Sequence, residues 1–491
     1  MNKLGNFFRI SEPIGLILLF QVFRFVLLPF MGLMPQDAYY YLYGQNLSWS
    51  YFDHPGMIGY LLRFTSELFG QSVFVVKLTD FIVTSLTMYF FYKLASQFLP
   101  KYKAKQSLLV LTSTIFVSIL SFNSTPDVPL LLFWTLSVLC LQQAIFLDKK
   151  WYWILGGICM GLAFNSKYTS ILLQIGLIAF LILSNKHRKK LLSPWMLVGL
   201  LISVGLTFPV VYWNYTNEFA SFAFQSTQRT ESISEFNITP KYFLGAVGHQ
   251  LFLLLPILFA LFVKATLKHI TKFFKGFRLP NDQNLFLLAF FLPTFLGFFL
   301  ITPFYWVKLN WMMPSYVTGV ILANVFITKK LLRTQLIISG VFHVLLAVQI
   351  LFYLVPIKSD DTWVGWEELS ASVVELQNQY PNTFVFSDDN YKTSAALNFY
   401  LSERVYAQNI IGKNALHFDY LGDDLSELKG KDALFIDSDK RMKDLLKKGD
   451  WDKTLNNYFE QITELEPIII QTGSKTVRKF WVYYCKNYKE K

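Results

Sequence analysis

The sequence predicts a mainly α-helical, polytopic membrane protein that ends in a small α/β domain outside the membrane. Three observations predict it. Of the 491 residues, 53% are hydrophobic and only 16% charged, whereas soluble chains carry about 25% charge. Apolar windows of about 20 residues recur along most of the chain, the length a helix needs to cross roughly 30 Å of hydrocarbon. From about residue 357 the long apolar spans end and charge rises.

Eleven spans are predicted, at about 13–34, 73–98, 107–122, 128–147, 151–165, 169–184, 195–215, 242–263, 284–303, 311–328 and 334–356. The first is too long for a signal-peptide core and lacks a small-residue cleavage site, so it reads as an uncleaved helix. The loops between spans alternate in charge. One set is basic: Lys3 and Arg9, Lys101 to Lys105, Lys149 and Lys150, Lys186 to Lys190, Lys264 to Arg278, and Lys329 to Arg333. The positive-inside rule places these in the cytoplasm, with the N-terminus. Loops 35–72, 123–127, 166–168, 216–241 and 304–310 then lie outside, as does the tail, 357–491. The net charge of +12 is accounted for by the helix-orienting loops and does not point to nucleic acid. Cys140 and Cys159 fall in apolar spans and Cys485 in the tail, so no disulfide framework is implied.

The chemistry-bearing residues gather in the external set. The first loop, PQDAYYYLYGQNLSWSYFDHPGMIGY, sets Asp37, Asp53 and His54 among tyrosines that include Tyr39 and Tyr40. FDHPG suggests a rigid turn opening a short interfacial helix at about 56–69, and a carboxylate there can act as general base, bind a divalent cation or cap the helix. Asp127 lies in a turn between Pro126 and Pro129, where it could cap the next helix. Lys167 is a cation on the side where cations are disfavoured; beside Tyr168 it suits a lipid phosphate, or it snorkels to headgroups. Lys308, Asn310 and Trp311 repeat that pattern, as does Arg229, and His249 opens a span near the outer surface as a packed residue or a metal ligand. Arg24 falls mid-span, with Asp80 as a candidate partner.

In the tail, TFVFSD (383–388) and DALFIDS (432–438) read as strands, with a helix over 393–401 between them. No catalytic motif stands out there.

The motifs PQDAYYYLYGQNL, SYFDHPGMIGYLLR, TPDVPLLLFW, NSKYT, FPVVYWNYTNEFASFAFQ and KLNWMMPSY stand in the order seen in a bacterial glycosyltransferase family. The chain resembles, over about residues 10–320, GT-C enzymes similar to protein O-mannosyltransferases and to the aminoarabinose transferase of lipid A (glycosyltransferase family 39-like). The resemblance implies a GT-C bundle with interfacial helices in the first external loop. It further implies transfer of a sugar from a polyprenyl-phosphate donor to an extracytoplasmic acceptor at the bacterial inner membrane. The family's first-loop acidic pair aligns with Gln36 and Asp37, so an amide replaces the first acid. The second acidic motif matches Asp53, His54 and Pro55; Asp127 matches an acidic position after the third helix, and Lys167 a lysine facing the donor phosphate.

The expected mechanism is an inverting displacement in which Asp37 handles the acceptor proton. Lys167, Arg229 and Lys308 offset charge on the leaving phosphate, and Tyr39, Tyr40, His54, Asn310 and Trp311 contact substrate. Asp53 with His54, together with His249, could hold a divalent ion, which the good leaving group does not make obligatory. The rival readings are a transporter or flippase for lipid-linked sugars and a non-catalytic binding protein. Transporters place polar groups near the midplane and show paired repeats, and neither feature is visible here.

Overall fold

A computed structural model describes residues 13–226, 238–439 and 453–490. In chain order its helices are α1 (Ile14–Leu27), α2 (Pro35–Gln45), α3 (Met57–Phe69), α4 (Val73–Phe98), α5 (Lys101–Thr112), α6 (Ile115–Phe122), α7 (Asp127–Phe146), α8 (Trp151–Phe164) and α9 (Ile171–Leu183). There follow α10 (Pro194–Gly205), α11 (Phe208–Thr216), α12 (Ala220–Gln225), α13 (Pro240–Gly276), α14 (Asp282–Ile301), α15 (Ser315–Ala323), α16 (Lys329–Phe352), α17 (Trp366–Gln379) and α18 (Lys392–Tyr400).

Among the described residues six helices are long and apolar enough to cross a membrane, and up to eight if each bent pair counts as one span. This is fewer than the eleven read from hydropathy. The difference lies in Trp151–Phe164, Tyr168–Leu183 and Ser315–Phe326, which are apolar but shorter than 18 residues. A helix of 14 residues reaches only about 21 Å. The bent pairs are Ile14–Phe30 with Pro35–Gln45, turned by 80°, and α5 with α6, turned by 62°. The first bend lays α2 across the end of the bundle and carries its tyrosines with it.

Close backbone approach brings the short helices in. A Cβ on Gly157 of α8 would stand 2.1 Å from the carbonyl oxygen of Gly199 on α10, so both positions need glycine. In α13 the helix breaks at Leu255 (φ +64°), immediately before Pro256. The carbonyl of Leu254, beside the break, accepts from Gln335 Nε2 of α16 at 3.0 Å. Arg24 and Asp80 do not pair. Arg24 donates to Ser118 Oγ at 3.0 Å, to Gln21 Oε1 at 2.7 Å and to the Thr112 carbonyl, while Asp80 accepts from Ser124 Oγ at 2.7 Å. The donors of the Arg24 guanidinium are thus used on neutral oxygens.

The C-terminal domain is a six-stranded sheet in the order β2–β1–β3–β6–β4, with β5 also on β6. Its strands are β1 (Phe384–Phe386), β2 (Val405–Tyr406), β3 (Ala433–Ser438), β4 (Gln461–Glu464), β5 (Ile468–Thr472) and β6 (Lys475–Lys486). β1 pairs in parallel with β2 and β3, and β6 runs antiparallel to β3, β4 and β5. TFVFSD and DALFIDS thus form the adjacent strands β1 and β3, and the helix between them is α18. This domain is not hung on a tether. Phe399 of α18 packs edge-on against Tyr41 of α2 at 4.9 Å. Phe399, Ala415 and Phe418 belong to the same apolar core as the helix bundle.

Candidate active site

The first loop is built on α2, whose apolar and tyrosine side chains are buried beneath the C-terminal domain. From Asn46 the chain returns through Tyr51, which stacks on Tyr43 at 3.9 Å and 10°, to Asp53 and into α3. Asp53 caps nothing: the N-cap of α3 is Gly56, with no side-chain bond. Instead Asp53 Oδ1 accepts hydrogen bonds from the Tyr39 hydroxyl at 2.9 Å and from the Tyr43 hydroxyl. Its carbonyl accepts from Gln225 Nε2 of α12. Burial pushes the Asp53 carboxyl above the usual carboxylate range, against the Tyr43 and Tyr39 hydrogen bonds and the charge of Lys308, which favour the anion.

A second group forms where three loops meet. Lys167, after α8, donates to both carboxylate oxygens of Asp127 at 2.8 and 2.9 Å, and Asn310 Nδ2 donates to Asp127 Oδ2 at 2.6 Å. Asp127 lies in the first turn of α7 and uses its carboxylate on this group rather than on its own helix end. Lys167 and Asp127 are both buried, so Lys167 does not snorkel to headgroups. Three residues singled out in separate loops therefore meet at one point.

Beside this group is a cavity of about 340 Å³. Its polar wall is His54, Lys167 and Gln225, and its apolar wall Ile171, Phe298, Ile301, Tyr305 and Trp311. Trp311 stacks on Tyr305 at 5.6 Å, and Tyr168, also on the wall, holds Ser221 by a 2.6 Å hydroxyl pair. A cation and an imidazole in the wall of a largely apolar cavity suit an amphiphile with an anionic head. Tyr40 stands behind, its ring 6.3 Å from that of His54.

Asp37 is placed elsewhere, contrary to the role expected for it. Its carboxylate is fully buried, ion-paired with Lys77 of α4, and accepts from the backbone N–H groups of Met34 and Ser124 at 2.7 Å each. Lys77 also donates to the Phe122 carbonyl at 2.6 Å. An ammonium and two peptide N–H groups fill three of the roughly four lone-pair sites of this carboxylate, and Asp37 ties together α2, α4 and the end of α6. Its neighbour Gln36 donates to Asp361 Oδ1 of the C-terminal domain at 2.9 Å. An acid at position 36 would set two carboxylates face to face, which accounts for the amide there.

His249 packs edge-on to Trp306 at 5.4 Å, whereas Asp53 is held by tyrosines. Among the described residues no three or more His, Cys, Asp or Glu side chains form a group that could hold a metal. Arg229 lies outside the described residues. Sequence reasoning missed Lys77, Gln225 and His417. His417, from the loop after β2, has its ring centre 4.9 Å from Tyr43 and 4.8 Å from Tyr51.

Superposition on known structures decides the architecture. ArnT from Cupriavidus metallidurans bound to undecaprenyl phosphate matches with a TM-score of 0.61 at 15% identity, over 96% of this chain and 97% of that one. The fold is that of the GT-C glycosyltransferases. A second GT-C match is archaeal oligosaccharyltransferase AglB from Archaeoglobus fulgidus, in complex with an inhibitory peptide and a dolichol-phosphate. Its TM-score is 0.51 at 11% identity, over 85% of this chain and 69% of that one. Residues 53–213 match the family model for dolichyl-phosphate-mannose-protein mannosyltransferase. Lipid A galacturonosyltransferase RgtD of Rhizobium johnstonii is 24% identical over 408 residues, 80% of this chain and 84% of the relative. The matched GT-C segment begins at Asp53 and takes in His54, Asp127 and Lys167.

Proposed function

We propose that the chain is an integral-membrane glycosyltransferase that moves a sugar from a polyprenyl-phosphate carrier to an acceptor outside the cytoplasm. The observation that carries this is the largely apolar cavity lined by Lys167 and His54, in a fold shared with a protein bound to undecaprenyl phosphate. The basic loops support an orientation with the N-terminus in the cytoplasm and residues 357–491 outside, at the bacterial inner membrane. The likeness to RgtD favours a lipid A-type glycolipid as acceptor, ahead of a glycan or a protein.

In this reading the acceptor hydroxyl attacks the anomeric carbon with inversion while the bond from that carbon to the phosphate oxygen breaks. The hydroxyl proton passes to the Asp53 carboxylate, and polyprenyl phosphate departs with the bonding electrons. Lys167, held by Asp127 and Asn310, and Lys308 meet the charge growing on the phosphate. Asp53 takes the proton role in place of Asp37 because it borders the cavity through His54 and Gln225. A raised pKa also makes it the stronger base.

Purified protein in detergent should release label from radiolabelled polyprenyl-phosphate sugars, and Lys167→Ala should abolish the release. Saturable carrier binding without turnover, across several sugars and membrane acceptors, would leave a transporter or binding protein instead. Turnover should also fall on acidification with a midpoint above about 4, the ordinary carboxylate value. The sign follows from the base being active only when ionised, and a His54→Gln variant should keep the limb. By the same shift, Asp53 contributes stability at low pH that is lost as pH rises through its folded-state pKa.

A further inference from the structure

The segment between β2 and β3 leaves the C-terminal sheet and reaches the back of the candidate site. Its turn, Leu416–Tyr420, is fastened by the Asp419 carboxylate, which accepts from Ala415 N at 2.8 Å. Leu416 is held at φ +54°, a left-handed conformation that a branched residue adopts only where its surroundings enforce it. The next residue, His417, is buried and makes two polar contacts to groups that hold Asp53. Its backbone N–H donates to the Tyr39 hydroxyl at 3.1 Å, and that hydroxyl donates onward to Asp53. Its Nδ1 accepts from the peptide N–H of Phe52, one residue before Asp53, at 3.4 Å. Tyr420 adds a stacking contact to Phe52, with ring centres 5.1 Å apart at 14°. Apolar packing alone would seat the domain, and burying an imidazole is costly unless its nitrogens are used. Here the used nitrogen meets the peptide that aims the carboxylate.

We propose that residues 415–421 form a positioning arm for the Asp53 carboxylate, with His417 setting the Tyr39 hydroxyl and the Phe52 peptide from behind. The inference rests on Asp53 being a site group, as in the proposed transferase reaction. His417 touches no substrate. It acts through Tyr39 and Phe52, and an error of about 1 Å in a reacting group costs on the order of a hundredfold in rate. Burial holds the His417 imidazole down to about 3, so it stays neutral with Nδ1 as the acceptor at any working pH.

The test compares wild type, His417→Leu, His417→Asn and Tyr39→Phe in the full-length protein. Asparagine keeps an acceptor where Nδ1 stands; leucine keeps bulk without one. Two readouts are taken: kcat and KM for the carrier, and the infrared titration of the Asp53 carboxyl band, identified by its loss in Asp53→Asn. His417→Leu should lower kcat by about tenfold or more while KM for the carrier moves less than about twofold. It should also raise the Asp53 midpoint, because hydrogen bonds to the anion are loosened. His417→Asn should restore both, and because His417 meets Tyr39 through its backbone N–H, Tyr39→Phe should add to the His417→Leu effect rather than absorb it. Wild-type kcat and midpoint in a folded His417→Leu protein would overturn the proposal. So would a loss of kcat matched by KM and not rescued by asparagine, which is the mark of packing alone. A wild type that turns over no carrier would remove the transferase reading, and the infrared midpoint would still decide the positioning.

Discussion

Asp53→Asn is expected to cut carrier turnover by about 10²–10⁴-fold, the range for losing a positioned proton acceptor. Carrier affinity and thermal stability should stay near wild type. The asparagine oxygen can still accept from Tyr39 and Tyr43, so the cluster of rings around it keeps its packing. The side chain loses its capacity to take a proton. Because burial already disfavours the charged form, the neutral amide should cost little in stability. Turnover of the labelled carrier, read beside carrier binding and a melting curve, checks this. Near-normal turnover in a folded variant would remove Asp53 from the proton role.

The second large effect concerns folding. Lys77→Met should destabilise the protein by about 3–5 kcal/mol, since it leaves the Asp37 carboxylate buried without its counter-ion. In a membrane protein the practical readout is the half-life at raised temperature in detergent, which should shorten sharply. Joining the change to Asp37→Leu should recover most of the loss, because exchanging a whole buried pair for apolar side chains is often close to neutral. The double variant separates the two roles open to Asp37. Recovered stability with retained turnover makes it a tie between α2 and α4, as its contacts with Lys77, Met34 and Ser124 imply. Recovered stability without turnover would return it to the chemistry.

Much of this was legible in the sequence, for physical reasons that differ by residue. Lys167 was conspicuous because a cation in a loop expected outside breaks a charge rule, and Asp127 and Asn310 because motifs on either side stood in a recognisable order. The strands β1 and β3 announced themselves by apolar runs closed with turn residues. The span count came out high because hydropathy registers apolarity, and α8 is apolar without being long. Lys77 was hidden by its helix, where one lysine in an apolar span looks like any other. Asp37 read as the proton acceptor and Asp53 as a candidate metal ligand, and only the fold turns the first toward Lys77 and the second toward the tyrosines. His417 was invisible: a lone histidine in a tail without motifs carries no sign of which surface it will meet.

The contact between His417 and Tyr39 joins positions 378 residues apart. Closing so long a separation is slow and comes late, after local helices and hairpins have formed. During synthesis the membrane helices emerge first and the last strand of the C-terminal sheet, β6, only near residue 486. A chain interrupted before Ala415 holds the cavity and Lys167 but lacks the arm behind Asp53. Under the proposed reaction, such a chain is expected to bind carrier without turning it over.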